Sequence, residues 1–305
     1  MSREDERIAR IAAILGIPRA QLDDAAVLAP PSTNLVLTVD EQVEGTHFTR
    51  DLLSLEDVGY RATMAAASDL AAMGATPLAA LAAWVLPKDL AEDDADRIAR
   101  GQAEACAALG ASVLGGNLSR GPAISIATTW IGTAARPLAR SGAKPGDALL
   151  VCGPLGLATA GFRALGRGLD TPDAAAAWRR PVARIADGSR MAALAHAAID
   201  VSDGLAIDAG RLASASGVRA VLDETALRNS LHSATIAVAR VIGVDPLDFA
   251  LSGGEDYALL CASDVPIEGF VRVGSIEAGE GCVARGPRGE RPVSGGFDHF
   301  DPQSP

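Results

Sequence analysis

Basic charge is in short supply in this chain. Lys and Arg number 27 against 38 Asp and Glu, for a formal net charge of −11. A general nucleic-acid binder needs clustered cations facing phosphates, so the balance argues against that class. Cysteine is sparse and scattered: Cys106, Cys152, Cys261 and Cys282 form no CxxC pair. Zinc-ligand and redox-motif spacings are therefore missing, and reduced core thiols are expected. Long hydrophobic runs are missing too, since "LAALAAWVL" is far short of the roughly 20 residues needed to cross a bilayer. The opening "MSREDERIAR" is charged and runs into a short amphipathic helix, which is not a secretory pattern and points to the cytoplasm. Several catalytic motifs are also absent. Without GxxxxGK[ST] or GxGxxG, a nucleotide must be held by other means. Without HExxH or a GxSxG elbow, zinc-protease and serine-hydrolase chemistry find no support.

What remains is an ordinary globular composition, 49% hydrophobic and 21% charged, over 305 residues. That length exceeds one usual core, so two domains are expected. Residues 4–15 read as a helix from the spacing of Ile8, Ile11 and Leu15. "NLVLTVD" (34–40) reads as a strand ending on an acid. "LEDVGYRATMAAASDLAAMGA" reads as a long Ala-rich helix stopped by Gly74. "LAALAAWVLP" and "AISIATTWIGTA" look like buried strands on either side of a helix over 90–109. The Pro- and Gly-bearing "RPLARSGAKPGD" (136–147) is the best linker. Beyond it, "ALLVCG", "AAIDVSDG", "RAVLDE", "YALLCA" and "FVRVGS" are strand-like, with helices between several of them. The expectation is two α/β (α+β) domains meeting near residue 140.

Most acids in a soluble protein are solvated, and "EDDADR" on helix 92–97 is such a face. Others sit in apolar surroundings. Asp24 lies in "LDDAAVLAP", Asp40 follows "NLVLTV", and Asp69 is embedded in "MAAASDLAAM". Asp200 ends "ALAHAAID", with Ser202 on the same face by alternation and Asp203 at the mouth of the next helix. A buried, unpaired carboxylate is costly, so acids so placed meet a cation or a donor. Each alone has a plain explanation: Ser202 or Asp203 as a helix cap, Asp208 paired with Arg211 three residues on. Asp23 and Asp208 are read as structural. Together the strand-end acids suggest an oxygen-ligand cage for Mg²⁺.

Two glycine-rich stretches accompany them. "LGGNLSRGP" (114–122) reads as a turn presenting Gly116, Asn117, Ser119 and Arg120. "GPLGLATAG" (153–161) opens a helix whose first N–H groups suit a phosphate. Of the four histidines, His47 in "VEGTHF" follows the Asp40 strand closely enough to share its cleft, or it caps a turn. "LSGGEDY" (251–257) sets Glu255 and Asp256 directly after a Gly-Gly turn.

These motifs, in the order "DDAAVL", "TVDEQVEGTHF", "SDLAAMGATP", "GGNLSRGP", "RSGAKPGD", "PVARIADG", "IDVSDGLAID", "LSGGEDYALL" and "GFDHF", resemble the thiamine-monophosphate kinase family. That family belongs to the superfamily of aminoimidazole ribonucleotide synthetase. The resemblance spans nearly the whole chain. It implies an N-terminal dimerising domain (1–139) and a C-terminal domain (140–305) that closes an active-site cleft. It implies a homodimer and the reaction of ATP with thiamine monophosphate. By the same resemblance Asp24, Asp40, Asp69, Asp200, Asp203 and Asn117 would ligate several Mg²⁺ ions. Gly116, Asn117, Arg140 and Ser202 would contact ATP, while His47, Glu255 and Phe297 would line the thiamine-phosphate site. Glu255 is expected to face the cationic thiazolium, with Asp256 and Tyr257 fixing its loop.

The chemistry agrees with the residues, because a phosphate monoester is already anionic near neutral pH and needs no strong base. Charge repulsion and alignment are the barriers, and carboxylate-held Mg²⁺ addresses both. Direct transfer is expected, without a phosphoenzyme. Three positions depart from the family pattern. Asn117 stands where an aspartate is common, so one Mg²⁺ site is expected to be weaker or altered. Val39 replaces a hydroxyl residue, and Leu22 replaces the glycine before the paired acids. The competing reading is a nucleotide-binding regulator that has lost catalysis through the changes at Asn117 and Val39. Other ATP-using members of the superfamily fit less well, since the chain lacks a cysteine near either end.

Overall fold

Strand-forming runs separated by Ala-rich helices assemble into two sheets. The computed structural model describes residues 26–28, 33–293 and 295–297. The expected helix over 4–15, the acids Asp23 and Asp24, and Leu22 lie outside these residues.

The first sheet contains β1 (Ala26–Leu28), β2 (Asn34–Val43), β3 (Thr76–Leu86), β4 (Val113–Arg120) and β5 (Ser125–Ala134), in the order β1-β2-β5-β3-β4. Along β5 every second residue is buried, with Ile126, Thr128 and Trp130 facing inward. That period of two marks a half-covered sheet. Its covered face carries α1 (Leu55–Ala72) and α2 (Glu92–Ala108). Helix α1 starts where the Ser54 hydroxyl accepts from the Asp57 N–H at 3.1 Å, with Glu56 and Asp57 favouring the positive end of the dipole. It stops at Gly74, whose φ of 66° is left-handed. Between these ends its alanines are buried on nearly every side, as suits a helix enclosed by other elements.

The second sheet is β12-β11-β8-β10-β6-β9-β7. It contains β6 (Ala148–Cys152), β7 (Ala197–Val201), β8 (Arg219–Asp223), β9 (Ala258–Ser263), β10 (Val271–Glu277), β11 (Gly281–Gly286) and β12 (Gly289–Pro292). Strands β7 and β9 are buried throughout, as suits sequences that are apolar but for Asp200 in β7 and Ser263 in β9. The helices are α3 (Leu157–Leu165), α4 (Pro172–Arg179), α5 (Ile185–Ala192), α6 (Leu205–Ser216), α7 (Glu224–Ser230), α8 (Ser233–Ile242) and α9 (Pro246–Ser252).

Each sheet comes from its own stretch of chain, and residue 140 falls between β5 and β6. The sheets share apolar contacts through α1. Ala71 and Ala72 pack with Leu150, Ala198 and Leu259, while Phe48 and Ala62 pack with Ala158 and Trp178. Helix α1 thus forms a wall common to both halves.

Three local expectations are corrected. The strand over 34–40 continues to Val43, so Asp40 sits within β2 and not at its end. Its ladder with β5 runs unbroken from Asn34 to Val43, and those hydrogen bonds carry it past the acid. The stretch around Gly115 and Gly116 is not a turn but strand β4, parallel to β3. A Cβ on Gly116 would lie 1.7 Å from the Ala82 carbonyl oxygen, so this glycine serves close strand approach. Finally, neither Ser202 nor Asp203 caps α6 with its side chain. Asp208 reaches back to accept from the Asp203 and Gly204 N–H groups, at 3.1 and 3.2 Å.

Candidate active site

A cleft of about 910 Å³ opens between the two halves. Asp40, His47, Asp69, Asp200, Ser202, Asp203, Glu255 and Phe297 all line it. Gly116, Asn117 and Arg140 are not among its lining residues; the first two lie on the exposed edge strand β4.

The acids arrive from separate elements. Asp40 comes from β2, Asp69 from the last turn of α1, Asp200 from β7 and Asp203 from the loop before α6. Each has a partner that orients it. The Thr38 hydroxyl donates to Asp69, and the Ser68 hydroxyl donates to Asp200 at 2.7 Å. Arg211 bridges Asp203 and Asp208, at 2.9 Å to the latter. The expected Asp208–Arg211 pair is therefore present. The backbone N–H of Glu41 meets Asp40 at 2.8 Å. Burial nevertheless pushes the Asp40 carboxyl up to about 6; the Glu41 bond opposes the shift and the Asp203 charge adds to it. Among the described residues no three carboxylate, imidazole or thiol groups converge into a closed metal cage.

His47 serves two roles. Its Nδ1 accepts the Val43 N–H at 2.9 Å, closing the turn after β2, and its ring also lines the cleft. Phe297 is held by its own N–H, which donates to the Asp203 carbonyl at 3.0 Å.

The "SGGEDY" loop holds both non-glycine residues of positive φ, Glu255 at 69° and Tyr257 at 47°. Such backbone persists where surrounding bonds over-determine it. Here the Glu255 N–H donates to the Ser202 carbonyl at 2.6 Å, and the Tyr257 N–H donates to that of Val201 at 2.9 Å. The loop is thereby fastened to the end of β7. The intervening Asp256 points away and accepts from the Gly156 and Ala158 N–H groups, the latter at 3.0 Å. This corrects the phosphate expectation for 153–161: the free N–H groups of α3 already hold a buried internal carboxylate. Burial drives that carboxyl up to about 7, against the pull of those N–H groups.

Glu255 does not present an unengaged carboxylate to the cleft. One oxygen pairs with Arg61 and the other accepts the Trp178 indole N–H at 2.8 Å. Arg61 is fully buried, donates to Gln42 at 3.2 Å and to the Trp178 carbonyl, and lies 5.1 Å from the Trp178 ring centroid. Phe162 abuts that ring. Sequence reasoning missed Arg61, Trp178 and Phe162. The one available signal was an arginine set just before the alanine run of a long helix.

Two family models match: AIR synthase related protein, N-terminal domain, over residues 22–134, and its C-terminal domain over 144–272. The thiamine-monophosphate kinase of Aquifex aeolicus is 34% identical, across 91% of this chain and 92% of its own. That of Mycobacterium tuberculosis is 35% identical, across 86% and 80%. A solved structure described as AaThiL complexed with AMPPCP and TMP superposes with a TM-score of 0.91 at 32% identity, covering 97% of each chain. The chain belongs to the thiamine-monophosphate kinase family of AIR synthase related proteins.

Proposed function

We propose that the protein transfers the γ-phosphoryl group of ATP to the phosphate of thiamine monophosphate, giving ADP and thiamine diphosphate. The observation that carries this reading is the convergence of Asp40, Asp69, Asp200 and Asp203 on one cleft that also holds His47, Glu255 and Phe297. The near full-length match to a structure holding an ATP analogue and TMP supports the same substrates.

Mg²⁺ suits this donor set. Burial raises Asp40 to about 6 and the nearby Asp203 charge adds to the shift; a divalent cation would favour the ionised form of both. Mg²⁺ takes only one or two carboxylates and fills its remaining positions with water and phosphate oxygens, so a closed protein cage is not required. Asp40, Asp69, Asp200 and Asp203 would share several such ions between them, with Asp24 and Asn117 as further candidates. When bound, the ions neutralise phosphate oxygens and fix the in-line geometry. The chain's own task is orientation. Thr38, Ser68 and Arg211 aim the carboxylates, and the strained loop holds Glu255 in place. The acceptor phosphate is anionic near neutral pH, so no residue is assigned as base.

Ser202, which lines the cleft, is a proposed ATP contact, as are Gly116, Asn117 and Arg140. We also propose a homodimer. Val39, Leu78 and Leu81 are exposed on the first sheet, and edge strand β4 leaves Leu114 and Leu118 uncovered. An apolar face beside an unpaired strand edge suits a second copy. A division near residue 139 and a cytoplasmic location complete the reading. ADP release measured with and without thiamine monophosphate tests it. Turnover that needs both substrates and is lost in Asp69→Asn supports the kinase, whereas binding without turnover supports the regulator.

A further inference from the structure

Among the described residues, Phe162 is the only aromatic side chain left exposed, at 41% of its surface, and it lines the cleft. The ring faces the cleft and not open solvent, and aromatic side chains are what line a site for a small organic ligand. Its setting is built. The ring centroid lies 5.2 Å from that of Trp178, with planes tilted by 41°. Trp178 is itself 1% exposed, tied through its indole N–H to Glu255 and backed by the buried Arg61. From Arg61 to Trp178 to Phe162, the contacts lead from the protein interior to the cleft surface.

We infer that Phe162 is the stacking surface for the aminopyrimidine ring of the acceptor, an assignment that rests on the function proposed above. The acceptor's chemistry sets its direction. Its phosphate must lie among the aspartates, and its cationic thiazolium comes next. The neutral aminopyrimidine is farthest from the phosphate. Arg163, next to Phe162 on the same helix, and Arg167, in the turn that follows it, line the cleft. They repel the thiazolium and favour the neutral ring at this position. An aromatic ring offers its face to such a heterocycle in offset or tilted stacking.

The test compares wild type with Phe162→Ala and Phe162→Trp on two acceptors. One is thiamine monophosphate. The other is its thiazole phosphate fragment, which lacks the aminopyrimidine. Phe162→Ala is expected to raise KM for thiamine monophosphate about ten-fold, the scale of one lost stacking contact, while kcat and KM for ATP move less than about two-fold. Phe162→Trp should stay near wild type. On the fragment, Phe162→Ala should add no further penalty. Phe162→Leu keeps apolar volume and should give an intermediate rise, which covers the case where alanine disturbs folding. An unchanged KM in Phe162→Ala, or an equal penalty on both acceptors, overturns the inference. Wild type with no acceptor-dependent ADP release overturns the kinase reading itself, a separate outcome.

Discussion

Replacing Arg61 by methionine removes the cation against which Glu255 is held. The guanidinium is fully buried and donates to Glu255, Gln42 and the Trp178 carbonyl. Methionine keeps most of the stem's volume, so the cost comes from lost polar bonds rather than from a cavity. Breaking a buried ion pair at one partner typically costs about 3–5 kcal/mol. Glu255 retains 28% side-chain exposure and regains some water, which places the expected loss near the lower end, about 3 kcal/mol. Glu255→Gln alone should cost less, about 1–2 kcal/mol, because an amide still accepts one bond. If the two residues act as a unit, the double variant should be scarcely worse than Arg61→Met, giving a coupling of about 1–2 kcal/mol. Urea unfolding of the four proteins measures this. Losses that simply add, within about 0.5 kcal/mol, would refute the claim that the buried arginine holds Glu255 and its loop.

Four further outcomes are expected. Asp256→Ala strips the acceptor from two N–H groups at the start of α3 and should cost about 2–4 kcal/mol in urea unfolding, with Asp256→Asn recovering about half. Protons compete with Mg²⁺ at Asp40, raised to about 6, so half-saturating Mg²⁺ in the kinase assay should rise about four-fold between pH 7.5 and 5.5. The raised value has a second consequence, because the cation-free folded protein holds this proton more tightly than the unfolded chain does. Its stability from Asp40 should fall as pH rises from 4 toward 6, and added Mg²⁺ should restore it, as read from thermal midpoints. Leu81→Glu places a charge on the exposed sheet face and should shift sedimentation toward monomer, leaving the circular dichroism spectrum unchanged.

Acids that read oddly in sequence were legible because their neighbours were small and apolar. Asp69 among alanines and Asp200 at the end of an apolar run both reach the cleft, and the strands before and after residue 140 form separate sheets. The glycines misled. At Gly115 and Gly116 turn propensity loses to pairing with β3, and the small side chain serves strand approach. At Gly153 and Gly156 the helix mouth looked open, because its occupant, Asp256, is 100 residues from Gly156 in sequence. Long range hides the rest as well. Arg61 meets Glu255 across 194 residues, and no local pattern distinguishes an arginine that pairs with a distant carboxylate from one that points to water. The hairpin of β11 and β12 escaped because its exposed, Gly-rich strands lack a hydrophobic period.

The most direct measurement is product stoichiometry: ADP and thiamine diphosphate quantified by chromatography after incubation with ATP, Mg²⁺ and thiamine monophosphate. The account predicts equal amounts of both products, with both lost on chelation of the metal and in Asp69→Asn. ADP formed without thiamine diphosphate, or no turnover by a folded protein that still binds ATP, would contradict it.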